Sequence, residues 1–567
     1  MIVFCLIMQY KYNNLSFNMF SKKNLINLSI ILFFFTYFVI GLNIFKDYGI
    51  STDEPFQRTS GQYWYLWIIE NFFPNYENIS YLSQNFKNME WSKDMERGSY
   101  VSYGVFFDII CAILEDFFKI NDTQNIYFLR HFLNFFFFFL SSIFFFKIIN
   151  LRFKNNFLAL VATILYVASP RIFAESFYNC KDIIFMSLVV PALFYGLKSL
   201  KNYKVKNIIF FSIFSAIATD VRILGIFLII LFLFFFFIEY LENKKFLKEK
   251  IKTLTILVTS YLFFTYLFWP YLWADPIKNF YSTFNYFKNF DIWNYSVFYL
   301  GEFIKGSNLP WHYIFTWIGV TMPLNYLLLF FIGSLIVLSQ FFSNFSKLDQ
   351  NSENKLWNNN NQKFDFFIFA FLLIPPLTII AFNSTLYGGW RHLYFIYPGI
   401  IYISSYAIYF LMNLSKRNYK YFLSFALLVS IIFNIKTLID LHPFQNIFFN
   451  SLVKNKANDL FEVDYWGLGN AEAIKNILKN IKHNQKYSIR TASFTPLSYS
   501  KKIISEKKMD NLIFSGTVDS NQEFVFTNYI YEKSPRFQKK YKISNSYKKI
   551  YTLKKGGIII NEIYKKK

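Results

Sequence analysis

The sequence predicts a polytopic α-helical membrane protein with about eleven transmembrane helices and a small C-terminal α/β domain outside the membrane. Of the 567 residues, 54% are hydrophobic and only 17% are charged, and the mean hydropathy is +0.26. A soluble domain carries about 25% charged residues. The apolar residues also occur in blocks of roughly 20, the length that crosses a bilayer as a helix. From residue 441 onwards the chain is less apolar and rich in lysine.

Eleven apolar segments are predicted to span the membrane: 25–45, 126–146, 157–176, 183–199, 208–223, 224–240, 253–270, 322–342, 365–383, 393–413 and 421–440. With a cytoplasmic N-terminus, the short basic connections all fall on the inner side, as the positive-inside rule requires. The odd number of spans then puts the C-terminus outside. Segments 208–223 and 224–240 adjoin directly, so the count can differ by one pair.

The predicted organisation has three parts. Residues 1–24 form a cytoplasmic N-terminus, 25–440 the transmembrane bundle, and 441–567 the outer α/β domain. Within the bundle, residues 46–125 form a first outer loop whose aromatic-rich pieces suit helices lying in the membrane interface. In the tail, residues 471–481 have a helical pattern, and strand-like alternation marks 487–490, 524–526 and a hairpin over 547–564.

Two adjacent carboxylates, Asp53 and Glu54, follow the first apolar segment almost without a gap. A preceding serine or threonine can cap a new helix here, with the acidic pair in its first turn and Pro55 placed early. Glu54 and Arg58 then share a helix face. One interpretation is a helix start whose acids complement the helix dipole, and the other is a catalytic carboxylate at the membrane surface.

Further charged residues fall in short segments that the predicted topology places at the outer surface: Arg171, Glu175, Lys181, Asp182, Asp220, Arg222, Arg391 and His392. A charged residue costs about 2.5–3.5 kcal/mol at the centre of a membrane helix and less near the interface. Local ion pairs such as Lys181–Asp182 and Asp220–Arg222 would explain single clusters. Their convergence with Asp53 on one surface favours a functional site.

Such a set of charges suits glycosyl transfer from a lipid-linked sugar. A polyprenyl tail dissolves in the bilayer, and Arg or Lys side chains bind its interfacial phosphate and offset the charge that grows as it leaves. A carboxylate takes the proton of the attacking hydroxyl. The predicted phosphate-binding residues are Arg58, Lys181, Arg222 and Arg391, each with a structural anchor as the alternative.

Other kinds of site have little support in the sequence. The three cysteines share no disulfide or zinc spacing, and none of the five histidines lies at ligand spacing from another, so no metal site is predicted. The net charge of +24 resembles that of a nucleic-acid binder. Lysines on the inner side of a membrane protein account for it instead, so no nucleic-acid partner is expected.

The sequence resembles the GT-C glycosyltransferases, and among them the dolichyl-phosphate-mannose protein mannosyltransferase and aminoarabinose transferase group (glycosyltransferase family 39-like). The resemblance rests on the Asp-Glu pair after the first span, the long first outer loop and many spans before an outer C-terminal domain. Further similar stretches are 177–183, 387–392, 441–450 and 461–467, the last two resembling patterns of bacterial members.

The resemblance implies roles for individual residues. Asp53 becomes the general base, with Glu54 shaping the site, and the second catalytic acid falls on Glu175 or Asp182, with Asp182 preferred because Lys181 adjoins it. Glu175, Tyr387 and His392 are further substrate-binding candidates, and a hydrogen-bonded interfacial histidine is the alternative for His392. The Asp464–Gly467 stretch is expected to fix the outer domain on the bundle rather than to touch substrate.

The implied reaction is an inverting transfer from a polyprenyl-monophosphate sugar to a hydroxyl on a lipid, glycan or protein acceptor, at the periplasmic side of a bacterial inner membrane. It requires no cofactor, although a divalent cation is an option in this family. A membrane transporter or flippase for a lipid-linked or anionic solute is the alternative. Transporters usually keep such charges near the midplane and show paired repeats, and this sequence shows neither feature. A polysaccharide polymerase or ligase would typically have its large loop between late spans.

Overall fold

The structure is a computed structural model that describes residues 22–567 except 243–246, 290–294, 348–354, 415, 483–484, 505–506 and 516–521. Most of the predicted cytoplasmic N-terminus, 1–24, therefore lies outside the described residues. The chain is predominantly helical, and its strands lie in one hairpin and in the C-terminal region.

The first half of the chain is helical throughout the described residues, with short 3-10 turns between some helices. The helices are α1 (Lys22–Ile44), α2 (Glu54–Phe72), α3 (Ile79–Lys87), α4 (Ser92–Glu96), α5 (Phe106–Phe117), α6 (Thr123–Phe153), α7 (Asn156–Val167), α8 (Pro170–Tyr178), α9 (Asp182–Asn202), α10 (Val205–Val221), α11 (Ile226–Glu242), α12 (Leu247–Phe268) and α13 (Pro276–Asn289). The 3-10 turns are Ile223–Gly225 and Pro270–Leu272.

The second half adds six longer helices, two short ones and the strands. Its helices are α14 (Tyr313–Thr321), α15 (Leu324–Phe345), α16 (Asn360–Ala381), α17 (Tyr397–Leu414), α18 (Arg417–Leu441), α19 (Ala457–Leu460), α20 (Asn470–Lys479) and α21 (Gln538–Tyr541). Its strands are β1 (Ser296–Tyr299), β2 (Glu302–Lys305), β3 (Tyr487–Thr491), β4 (Leu512–Ser515), β5 (Phe524–Thr527), β6 (Tyr547–Lys555) and β7 (Ile558–Lys566). The 3-10 turns here are Arg391–Ile396, Gln445–Ile447, Lys454–Lys456, Leu497–Lys502 and Lys507–Asn511.

The predicted polytopic membrane fold is confirmed. Among the described residues, nine helices are long and apolar enough to cross a membrane, or ten if the bent pair α7–α8 counts as one span. The predicted fifth span, 208–223, corresponds to α10, whose 17 residues are too few for that length criterion. Helix α9 lies at the centre of the bundle and is largely buried, whereas α1, α15 and α18 leave most of their surface exposed.

The third predicted span, 157–176, is not one straight helix. Helix α7 ends at Val167 and α8 begins at Pro170, and the two are bent by 69°. Proline disfavours helical backbone at the residue before it but suits the first position of a new helix. The bend therefore follows from Pro170, and it turns the chain so that α8 leads directly to the start of α9.

The predicted small C-terminal α/β domain is also present. Its sheet has the strand order β4-β3-β5-β7-β6, with β3 parallel to β4 and β5, and with β7 antiparallel to β5 and β6. The predicted hairpin turns at Gly556 and Gly557, both at positive φ. Helix α20 packs on this sheet, and Ile50 and Tyr127 of the bundle join the same apolar cluster. The separate β1–β2 hairpin was not predicted.

Candidate active site

The guanidinium of Arg391 lies between two carboxylates from distant parts of the chain. Its Nη1 donates to Asp53 Oδ2 at 3.0 Å and to Asp182 Oδ2 at 3.4 Å. Arg222 pairs with the other oxygen of Asp182. Asp53 precedes α2, Asp182 begins α9, and Arg222 follows α10. The ends of three helices thus meet at one cluster of alternating charges, which we call the carboxylate–arginine cluster.

Two glycines allow Arg391 to approach this position. Gly388 and Gly389 have φ values of +64° and +75°, a backbone region that favours glycine. A Cβ added at Gly388 would lie 3.1 Å from the Tyr465 ring and 3.2 Å from Arg391 Nε. The turn before Arg391 therefore depends on the absence of a side chain at Gly388.

Aromatic rings surround the Arg391 guanidinium. Its central carbon lies 4.7 Å from the centroid of Tyr387, 5.2 Å from that of Tyr465 and 4.7 Å from the Trp466 ring. A cation so placed is attracted to the ring faces by about 0.5–2 kcal/mol. Because Tyr465 and Trp466 belong to the tail, the C-terminal region forms one wall of the cluster.

The tail residues are held in place by Asp464. Its buried carboxylate accepts hydrogen bonds from the backbone N–H groups of Leu468 and Gly469 and from the Asn446 side chain, at 3.1, 2.9 and 3.2 Å. Burial raises the pKa of Asp464 to about 6. The anchoring role expected for the Asp464–Gly467 stretch thus fits Asp464, whereas Tyr465 and Trp466 contact Arg391 of the cluster.

The two candidates for the second acid have different surroundings. Asp182 contacts both arginines directly. Glu175 accepts hydrogen bonds from Tyr394 Oη and Asn179 Nδ2, each at 2.7 Å, and Asn179 also donates to Asp182 Oδ2 at 3.2 Å. Glu175 is therefore connected to the cluster indirectly, through Asn179, whose side chain donates to both acids.

Glu54 and Arg58 were predicted to share a helix face, but each contacts different residues. Glu54 accepts from the backbone N–H of Ser51 at 2.6 Å and lies 3.0 Å from His131 Nε2. Arg58 forms an ion pair with Glu115 at 3.0 Å. Helix α2 starts at Glu54 with Asp53 as its N-cap, and no side chain caps it. Of the Asp-Glu pair, only Asp53 joins the cluster.

Lys181 lies beside the cluster but points elsewhere. Its Nζ donates to the Gly104 carbonyl oxygen at 2.6 Å and lies 5.6 Å from the Tyr103 ring centroid. Burial lowers the pKa of the Lys181 ammonium. The local ion pairs considered from the sequence do not form: Arg222 pairs with Asp182, and Asp220 accepts from the backbone N–H groups that open α5, at 3.3 and 2.9 Å.

The remaining candidates are His392 and Tyr387, which lie beside Arg391. His392 is half-buried, and its ring centroid lies 4.7 Å from that of Tyr387, edge to face. His392 Nδ1 has no hydrogen-bond partner in the part of the chain that is described. Tyr387 therefore contacts both Arg391 and His392, which places the predicted substrate-binding pair at the edge of the cluster.

Several residues of the site were not among the sequence candidates. Tyr103, Tyr465, Trp466, Asn179 and Tyr394 all contact charged members of the site. Trp466 and Tyr465 lie in a stretch that the sequence had marked, but their proximity to Arg391 depends on tertiary structure. Over the described residues, no group of three or more His, Cys, Asp or Glu side chains could hold a metal ion.

A comparison with known protein families agrees with the resemblance found in the sequence. Residues 116–269 match the model of a family described as dolichyl-phosphate-mannose-protein mannosyltransferase. This match confirms the predicted resemblance, and it includes Glu175, Lys181, Asp182 and Arg222. No curated protein matches the chain.

Solved structures of low identity are also similar to this chain. Archaeal oligosaccharyltransferase AglB from Archaeoglobus fulgidus, in complex with an inhibitory peptide and a dolichol-phosphate, has 10% identity and a TM-score of 0.47, with 89% of this chain and 70% of that chain covered. ArnT from Cupriavidus metallidurans in the apo state has 8% identity and a TM-score of 0.42, covering 95% and 98%. ArnT bound to undecaprenyl phosphate has 9% identity and a TM-score of 0.39, covering 94% and 98%.

Proposed function

We propose that this protein is an inverting membrane glycosyltransferase that moves a sugar from a polyprenyl-monophosphate donor to an acceptor hydroxyl at the outer, periplasmic face of the membrane. The observation that carries the proposal is the carboxylate–arginine cluster, in which Arg391 contacts Asp53 and Asp182 while Arg222 contacts Asp182. The matched family, whose description names a dolichyl-phosphate-linked sugar, supports the donor class.

Asp53 is the general base. Its side chain is 36% exposed, whereas those of Glu54 and Asp182 are 1% and 0% exposed. A base must reach the hydroxyl of an acceptor that arrives from water, and it must later return its proton to water.

The arginines bind the donor phosphate. The Nε atoms of Arg222 and Arg391 have no hydrogen-bond partner within the described residues. Buried guanidinium donors are costly to leave unpaired, and phosphate oxygens are strong acceptors for them. Arg222 and Arg391 thus offer donors that their carboxylate partners do not use.

The charge balance indicates a third cation. Arg222 and Arg391 are already offset by Asp53 and Asp182. The donor phosphodiester adds one negative charge, and the departing lipid phosphate carries a second. Lys181, which adjoins Asp182, supplies the extra positive charge when its Nζ turns from the Gly104 carbonyl towards the phosphate. Arg58, bound to Glu115, contributes to the local field from a greater distance.

The reaction is a single in-line displacement. The acceptor oxygen attacks the anomeric carbon, its proton passes to Asp53, and the bond between that carbon and the phosphate oxygen breaks. One glycosidic bond forms with inversion, and a polyprenyl monophosphate leaves. Fixed positive charges aimed at the leaving oxygens stabilise the transition state more than the ground state. The chemistry requires no cofactor. Because Asp53 and Asp182 already pair with guanidinium groups, the cluster does not fit a divalent cation well.

The experiment uses the full chain in lipid nanodiscs with undecaprenyl-phosphate sugars as donors and bacterial membrane extract as the acceptor source. Asp53→Asn should lower the release of undecaprenyl phosphate by roughly 100-fold or more, the usual contribution of a general base, while donor affinity stays within about threefold. Asp47→Asn is the matched control, because Asp47 is an exposed carboxylate at the same end of the bundle that pairs with His442. Full turnover in Asp53→Asn would refute the base assignment. Failure of the protein to bind any of these donors would favour the alternative function, a membrane transporter.

A further inference from the structure

A cavity separate from the carboxylate–arginine cluster lies in the outer part of the molecule. It has a volume of about 200 Å³. Four parts of the chain form its walls: the β1–β2 hairpin, residues 458–463 and 528–533 of the tail, and Ile559 of β7. No residue of the cluster lines it.

The lining combines aromatic rings with one buried carboxyl group. Phe298, Phe303, Phe461, Tyr529 and Tyr531 line the cavity together with Glu462. Glu462 is 6% exposed. Its Oε1 accepts from the backbone N–H of Phe298 at 3.2 Å, and its Oε2 has no hydrogen-bond partner in the part of the chain that is described. A buried polar atom without a partner costs about 1–3 kcal/mol, so a ligand that bonds to it would recover this loss.

The walls are fixed by hydrogen bonds between the segments. Asn458 bonds to both the N–H and the carbonyl oxygen of Ile559, at 3.0 and 2.7 Å. Asn528 Nδ2 donates to the Asp464 carbonyl oxygen at 3.3 Å. The cavity is therefore formed before a ligand arrives, which lowers the entropic cost of binding.

The charge at the cavity argues against a cationic ligand. Burial raises the pKa of Glu462 to about 8, so this carboxyl group is mostly protonated at neutral pH. Of the exposed charged residues at the cavity, Lys533 and Asp459 offset each other, and the tail as a whole is rich in lysine. A protonated carboxyl group can donate to a neutral hydroxyl and accept from one.

The volume limits the size of the ligand. Cavities for drug-sized molecules measure about 300–1,000 Å³, so about 200 Å³ suits one small ring. A pyranose has hydroxyl groups for Glu462 and C–H faces that pack on aromatic rings, whose faces carry partial negative charge.

We propose that this cavity, with Glu462 and the surrounding aromatic rings, is a binding site for one neutral pyranose unit, separate from the carboxylate–arginine cluster. Residues 461–466 connect the two sites, because Glu462 lines the cavity and Trp466, four positions later, packs on Arg391. The assignment does not depend on transfer activity, since it concerns binding alone.

The test measures binding to the full-length protein in nanodiscs by saturation-transfer NMR. The probes are methyl α-D-mannopyranoside and methyl β-D-glucopyranoside, with tetramethylammonium chloride as the cationic comparison. We expect saturable binding of at least one glycoside and none of the cation. Phe303→Ala, on the β1–β2 hairpin, should weaken binding at least fivefold, and Glu462→Leu should abolish it.

Controls separate this site from the catalytic one. Glu302→Gln changes an exposed acid on the same hairpin that does not line the cavity, so it should leave glycoside affinity unchanged. Arg391→Gln should also leave it unchanged, and loss of binding there would move the sugar to the carboxylate–arginine cluster. Thermal unfolding of each variant establishes that it is folded. Binding that survives both Phe303→Ala and Glu462→Leu, preference for the cation, or absence of glycoside binding would each overturn the proposal.

Discussion

Replacing Arg391 by lysine keeps the positive charge but removes the planar guanidinium. Arg391 has contacts with Asp53 and Asp182 at 3.0 and 3.4 Å and lies on three aromatic rings. A lysine ammonium can keep one of the carboxylate contacts. The lost charged hydrogen bond is worth about 1.5–3 kcal/mol and the reduced ring contact about 0.5–2 kcal/mol. Together they amount to about 2–5 kcal/mol, or roughly a 30-fold to several-thousand-fold loss of donor kcat/KM.

The stability of the variant should change much less than its activity. Asp182 keeps Arg222 as a partner, and Asp53 is exposed enough for water to solvate it. The assay is release of undecaprenyl phosphate from a polyprenyl-phosphate sugar, measured beside the thermal unfolding midpoint. Arg536→Lys is the control, because Arg536 also lies over aromatic rings, those of Tyr295 and Phe537, but in the tail. Wild-type turnover in Arg391→Lys would refute the role of the guanidinium.

Three further predictions follow from individual contacts. Lys181→Met should lower donor affinity about tenfold or more with little effect on acceptor KM. The control Lys278→Met, at an exposed position, should change neither quantity. Equal losses of donor and acceptor affinity in Lys181→Met would indicate a structural role. Gly388→Ala should lower turnover because the added methyl group would press on Tyr465 and Arg391. Gly557 also has a positive φ (+91°), but a Cβ there would meet no atom within 4 Å, so Gly557→Ala should retain activity. Equal turnover in the two variants would contradict the packing argument. Burial raises the pKa of Glu462 from 4.5 to about 8, so the folded state binds its proton more tightly than the unfolded state and loses stability as pH rises from about 4.5 to about 8. Glu462→Gln should therefore unfold at a less pH-dependent temperature than wild type across this window, and identical pH profiles would contradict the assignment.

Much of the fold could be predicted because membrane spans depend on local composition. Helices overlap all eleven predicted spans, and the tail strands β3, β5, β6 and β7 lie where period-two alternation placed them. The four-residue strand β4 was not predicted, and two further features escaped this reasoning. The bend before Pro170 was hidden because α7 and α8 together are apolar enough to pass as one span, and hydropathy contains no information about a change of direction. The β1–β2 hairpin has strands of only four residues each, so its alternation was too brief to detect.

The four charged residues of the carboxylate–arginine cluster were marked in the sequence, but their pairings were not. The sequence marked Asp53, Asp182, Arg222 and Arg391 because charges at the ends of apolar segments are costly. It could not show that Arg391 bridges the two aspartates, since these residues are separated by 338 and 209 positions. It also favoured neighbours in sequence as ion-pair partners, and the structure instead pairs Arg58 with Glu115 and Arg222 with Asp182.

Burial distinguishes Asp53 from the other candidate acids of the site. Glu54, Glu175 and Asp182 are all buried, and each has partners that hold its carboxylate in a fixed position. A carboxylate so enclosed can orient its neighbours, but it has no path along which to pass a proton to water. Asp53 combines an exposed side chain with a contact to Arg391 that fixes its orientation. This combination supports the proposal that the first member of the Asp-Glu pair is the base and that the second has a positioning role at the start of α2, where it contacts His131 and the Ser51 N–H.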